Sequence, residues 1–112
     1  MIKKHPRKKS PAHLDFIRQL PCCVCGDNTS VEAAHVRFGE PLAAKRPSGM
    51  WEKPDDAWAL PLCNKHHREQ HRIKEKVWWS NQWPLDPIFL CLALYRVSGD
   101  VEAGCQIIRE AR

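Results

Sequence analysis

Trp58-Ala59-Leu60-Pro61-Leu62-Cys63-Asn64-Lys65-His66-His67-Arg68-Glu69-Gln70-His71 is the stretch whose reading decides the fold. The apolar run Trp58 to Leu62 reads as a strand that Cys63 closes, and a strongly polar helix follows from about Asn64 to Trp79. Cys63-x-x-His66 is one half of a metal knuckle. Cys22-x-x-Cys25 is the other half, with 37 residues between them. Zinc prefers four thiolate and imidazole ligands at tetrahedral geometry, and ligands paired two residues apart let one turn of chain chelate the ion. Cys22, Cys25, Cys63 and His66 are therefore the expected structural zinc ligands. Cys23 would break the spacing and is not included.

Neighbouring helical residues point about 100° apart, whereas positions i and i+4 nearly share a face. If His66 turns to the knuckle, His67 turns aside and His71 lies beside it. Such a histidine pair is suited to a second divalent ion with coordination positions open to water and phosphate. Upstream, Val31 to Phe38 reads as a strand carrying His35. A lone histidine in an apolar strand is most often a satisfied core residue, but the topology gives this one a second reading. A strand–loop–strand–helix order between the zinc pairs places His35 near His67 and His71, and a neutral imidazole is a suitable base for water. Residues 39–57 are expected to form a long, basic loop next to Arg37, with Lys45, Arg46 and Lys53. Loops of that length are often functional. A base, a metal pair and a basic loop together point to phosphodiester hydrolysis.

The rest of the chain frames this centre. Of 18 basic residues, five fall in residues 1–9, and the other 13 are balanced by 13 acidic residues, so the net charge of +5 equals that of a flexible basic arm, residues 1–10. Such an arm favours a phosphate backbone without reading sequence. Ser10 is placed to cap a helix with Pro11 in its first turn and an apolar stripe of Leu14, Ile17 and Leu20. Pro21 ends that helix, and Gly26-Asp27-Asn28 reads as a tight turn. Asp86-Pro87 and Asp100 start two closing helices, with apolar faces at Ile88, Leu92 and Tyr95 and at Val101, Cys105 and Ile108. The basic N-terminal stretch runs into Ser10-Pro11 and a polar helix, which is not the pattern of a secretory signal. The longest apolar run, Ile88 to Tyr95, is too short for a membrane span. Six cysteines could suggest disulfides, but adjacent Cys22 and Cys23 with knuckle spacing read as metal ligands in a reducing compartment, and the cytoplasm is the expected location. Cys91 and Cys105 are expected as buried thiols.

The stretch from Cys22 to His71 resembles the HNH endonucleases, and within them the small prophage-borne nucleases of the Ref and YbcO kind. The matching phrases are Ala34-His35-Val36-Arg37, Lys53-Pro54-Asp55-Asp56 and Pro61-Leu62-Cys63-Asn64-Lys65-His66-His67. The resemblance implies an α+β fold: a zinc-braced, treble-clef-like ββα-metal core over residues 21–80 within a single nuclease domain (11–112). One N-terminal helix and a C-terminal helical extension (84–112) would flank it. It implies His35 as general base, His67 closing the motif and His71 as a further ligand of a catalytic Mg2+, Mn2+ or Zn2+ ion. Many HNH enzymes place an acidic ligand just before the base, where this chain has Ala34. The usual central asparagine is replaced by Trp58. Asp56 is the candidate for the middle role, with Asp55 as runner-up. Arg37, Lys45 and Arg46 would hold DNA through its backbone with little sequence preference. A role in phage recombination or repair follows from the resemblance, with a recombinase as a candidate partner. The alternatives are a non-catalytic zinc module that binds nucleic acid and a protein-interaction domain using Trp78, Trp79 and Trp83.

Overall fold

The structure, a computed structural model, describes residues 8–39 and 54–112. Ser10-Pro11 opens helix α1 (Pro11–Arg18), whose buried side is His13, Phe16 and Ile17, with Leu20 buried just beyond its end. The expected stripe is thus rotated, and Leu14 is only half-buried. The Ser10 side chain makes no capping bond; its backbone N–H is used by Asp56 instead.

Two antiparallel strands follow, β1 (Val31–His35) and β2 (Ala59–Cys63), in a register running from Val31 opposite Cys63 to His35 opposite Ala59. β2 is buried at all five positions, because α1, α2 and α4 all pack against it. Pro61 has no N–H to donate, but its carbonyl accepts from Cys23, which docks the knuckle on β2. Both strands are displaced from their expected limits. β1 stops at His35 because the N–H groups of Arg37 and Phe38 turn to the Glu75 carboxylate. β2 starts one residue late because Asp56–Trp58 forms a single 3₁₀ turn closed by Trp58 N–H to the Asp55 carbonyl.

The expected helix from Asn64 to Trp79 is two helices, α2 (Asn64–Arg72) and α3 (Glu75–Ser80), separated by extended Ile73 and Lys74. No glycine or proline marks the break. It brings Glu75 back to the end of β1 while Trp78 and Trp79, stacked edge-on, enter the core. In α4 (Pro87–Arg96) and α5 (Val101–Ala111) the predicted caps form: Asp86 accepts from Ile88 and Phe89, and Asp100 accepts from Ala103. The buried side of α4 is Ile88, Leu90, Cys91 and Leu94. Leu92 and Tyr95, expected to face the core, are exposed because apolar side chains surround this helix and periodicity does not select a face. Cys91 is buried as expected, whereas Cys105 is only half-buried, since α5 meets the core through Gly104 and Ile108. Among the described residues the architecture is α+β, five α-helices and one 3₁₀ turn around a two-stranded sheet. No helix among the described residues is long and apolar enough to cross a membrane.

Candidate functional site

The knuckle forms from three elements: the turn after α1, the end of β2 and the first turn of α2. Gly26 takes φ +81°, and its N–H closes back on the Cys22 carbonyl, a backbone state open chiefly to glycine. Asp27 then fixes the turn by accepting from the amide and hydroxyl of Thr29, which hold its carboxyl below the usual range. Nδ1 of His66 lies 3.6 Å from Cys22 Sγ and 3.2 Å from Cys63 Sγ, and Cys25 Sγ lies 3.9 Å from Cys63 Sγ. All four ligand atoms fall within 4.8 Å of one another. A zinc tetrahedron with the usual bond lengths has edges of roughly 3.3–3.8 Å, so this group is sized for such an ion.

The charge balance supports the same assignment. Burial pushes the Cys22 thiol up, but the N–H groups of Cys63, Cys25 and Val24 outweigh it and hold the thiol below its usual range. Cys25 is pushed up to about 11, by desolvation and by Cys22 beside it, against the Asp27 N–H. Adjacent thiolates repel one another, so a cation among them would favour their ionised forms. Cys23 is different: complete burial, with Cys22 and Cys91 nearby, drives its thiol far up, so it stays protonated and apart. The Cys22, Cys25, Cys63 and His66 cluster can therefore hold a metal such as zinc.

The remaining candidates fall into two pairs. His35 Nε2 lies 3.0 Å from Oδ1 of Asp56, a carboxylate only 1% exposed. The other Asp56 oxygen accepts the Ser10 N–H at 2.7 Å, and the Asp56 N–H donates to the Lys8 carbonyl. Residues 8–10 of the expected arm are thus held against the turn at 55–56. Asp55 faces outward from this contact and accepts the Lys8 N–H. Asp56, not Asp55, is the aspartate against His35.

The second pair is His67 and His71, whose Nε2 atoms lie 3.1 Å apart. His67 Nδ1 lies 2.7 Å from Glu32 Oε1. Burial, then His67 and Arg37, hold the His71 imidazole below its usual range, against Glu75 and Glu32. Arg37 therefore lies within electrostatic reach of this pair. Lys45 and Arg46 lie outside the described residues. Among those described, the knuckle is the one group of three or more His, Cys, Asp or Glu side chains whose ligand atoms all lie within 4.8 Å of one another. His35, Asp56, His67 and His71 form no second group of that kind. Buried Gln70 ties α2, the helix of His67 and His71, to β1 and α3 by donating to the His35 carbonyl at 3.3 Å and to Glu75 at 2.9 Å.

Sequence reading missed Glu32, Gln70 and Glu75. Strand alternation puts Glu32 on the same side of β1 as Ala34, but its side chain is half-exposed, and nothing in the sequence marks it as a partner of His67. Gln70 and Glu75 carry no signal either, because their role depends on the break at Ile73. No curated protein and no solved structure matches the chain. The model of the family described as Protein of unknown function (DUF968) matches residues 1–87, well over half of the chain, and the chain belongs to that family.

Proposed function

We propose that the chain is a metal-dependent endonuclease that hydrolyses the phosphodiester bonds of DNA, with His35 as general base. The observation that carries this reading is the Asp56–His35 pair. A carboxylate buried to 1% exposure and fixed by a backbone N–H supports a half-buried imidazole on β1, the strand paired with the one that ends in the knuckle. An ionised carboxylate only accepts, so Asp56 places the His35 proton on Nε2 and leaves Nδ1 as the basic nitrogen. It also stabilises the imidazolium formed when Nδ1 takes a proton from water. The carboxylate is itself held by Ser10, so the ring is oriented before substrate arrives.

His67 and His71 would hold the catalytic divalent ion through their Nε2 atoms, which lie 3.1 Å apart. Bound there, such an ion supplies Lewis-acid stabilisation of charge on the phosphate and the leaving oxygen. Arg37 would neutralise a backbone phosphate, with Lys45 and Arg46 extending that contact. Binding should then be sequence-tolerant and weaken steeply with salt. The knuckle ion would be structural, since all four of its positions are taken by protein.

The test compares wild type, His35→Ala and Asp56→Asn for cleavage of single-stranded, duplex and branched DNA, and of RNA, in Mg2+ or Mn2+. Zinc content is measured in each. His35→Ala is expected to lower cleavage about 10²- to 10⁴-fold with zinc retained. Asp56→Asn, which preserves shape but not charge, should fall in the same range. A wild type that binds DNA in a salt-dependent way but cuts nothing with any divalent ion would replace this reading with that of a non-catalytic zinc module.

A further inference from the structure

Glu32 is 52% exposed at its side chain, yet its carboxylate is not spent on solvent: Oε1 lies 2.7 Å from His67 Nδ1. It stands on β1 across from Leu62, and His67 stands in the first turn of α2, one residue after the knuckle ligand His66. The contact therefore joins the strand carrying His35 to the helix carrying the histidine pair. An ionised carboxylate can only accept a hydrogen bond, and a neutral imidazole donates from one nitrogen and accepts at the other. With Nδ1–H donating to Glu32, the lone pair of His67 is on Nε2. That is the atom 3.1 Å from Nε2 of His71. Carboxylates behind metal-bound histidines fix the tautomer and raise ligand basicity in this way.

We propose that Glu32 is a positioning residue for a transition-metal cation held by Nε2 of His67 and Nε2 of His71. The assignment deepens the nuclease reading and rests on its placing the catalytic ion at this pair. Glu32 works from behind the ring and not as a third ligand, because among the described residues Glu32, His67 and His71 do not offer one ligand atom each within 4.8 Å of the others. Before the ion binds, the His71 Nε2–H donates to His67 Nε2. To offer Nε2 to a cation, His71 would carry its proton on Nδ1 instead, a change of tautomer with no net proton release. Two imidazole donors favour a first-row transition ion such as Zn2+ or Ni2+ over Mg2+, which prefers oxygen. Water and phosphate oxygen would complete its coordination.

The test uses the full zinc-loaded chain with Ni2+ as probe. Long-range 1H–15N spectra without Ni2+ read the tautomer of His67, and calorimetry reads Ni2+ affinity, with knuckle zinc content checked throughout. Wild-type His67 is expected as the Nδ1–H tautomer. Glu32→Ala should lose that preference and weaken Ni2+ binding roughly 10- to 100-fold. Glu32→Gln, which keeps a carbonyl acceptor, should retain the tautomer and lose less affinity. His71→Ala should weaken binding too, identifying the site. An Nε2–H tautomer in the wild type, or Ni2+ affinity unmoved by Glu32→Ala, would overturn the assignment. The two readings separate cleanly: Ni2+ binding that depends on Glu32 in a protein that cuts no DNA supports this assignment and removes the nuclease. Cleavage by a wild type whose Ni2+ affinity ignores Glu32 does the reverse.

Discussion

His13 shows how closely the site and the core are joined at the level of single residues. It is 2% exposed, its Nδ1 pairs with Ser98 Oγ at 2.6 Å, and its Nε2 is buried with no hydrogen-bond partner among the described residues. Tyr95 packs edge-on against its ring. Burial lowers its pKa from the ordinary 6.5, with the charge of Asp56 pulling the other way. The unfolded chain therefore binds a proton at this histidine at a higher pH than the folded chain does. Stability is unaffected by His13 well above pH 6.5 and falls as the pH drops below it, until the folded ring also protonates. Urea midpoints at pH 7.5 and 5.5 for wild type and His13→Gln measure this. The wild type should lose more stability over that interval than the variant, and equal losses would remove His13 as the cause. Titrations at the knuckle are common to both proteins and cancel in the difference. The same residue marks a limit of sequence reading. His13 has the spacing of a core position with Phe16 and Ile17, but nothing in the sequence reveals that Asp56 lies close enough to act on it.

At the level of elements, legibility followed locality. The knuckle spacing, the caps at Asp86 and Asp100, and the strand–strand–helix order depend on residues near one another in sequence, and each is present in the fold. The break at Ile73 and the true face of α4 depend on distant partners, Glu75 reaching β1 and α4 packing on β2, which no local pattern encodes. The pairing of His35 with Asp56 lies between these cases: the residues could be nominated, but their contact required the 3₁₀ turn. Gly104 illustrates a distant partner set by one small residue. A Cβ there would meet Leu20 Cδ2 and Phe16 Cζ at 2.9 Å each, so α5 lies against the end of α1 only because position 104 has no side chain. Alanine would gain about 1 kcal/mol of helix propensity and lose part of it to displaced side chains. Gly104→Leu has no such escape and should destabilise the fold by about 1–3 kcal/mol, the usual cost of overpacking. Denaturant melts give the value; a neutral Gly104→Leu would mean that α5 can move away from α1 at no cost.

Taken whole, the molecule is organised around one point, where the turn after α1, the end of β2 and the start of α2 meet at the knuckle. A chain of 112 residues buries a modest core, so a metal bound only by the folded state would add directly to its stability. The dependence reaches beyond the four ligands, because His67 follows His66 immediately and inherits its direction from the helix turn that the knuckle sets. Stripping the ion should therefore loosen the His67–His71 pair along with the fold. Zinc chelation at pH 7.5 is expected to lower the melting temperature by at least roughly 10 °C, consistent with a loss of a few kcal/mol in a domain of this size. Zn2+ should restore it and Mg2+ should not, since thiolate donors select the softer ion. Cys25→Ser should behave like the stripped protein. Cys23→Ala supplies the contrast, since Cys23 neighbours Cys22 but stays a protonated core thiol. It should keep one zinc per chain at the knuckle despite a small cavity cost. A melting temperature indifferent to chelation, or zinc lost from Cys23→Ala and kept by Cys25→Ser, would mean that the four clustered ligands are not what holds the three elements together.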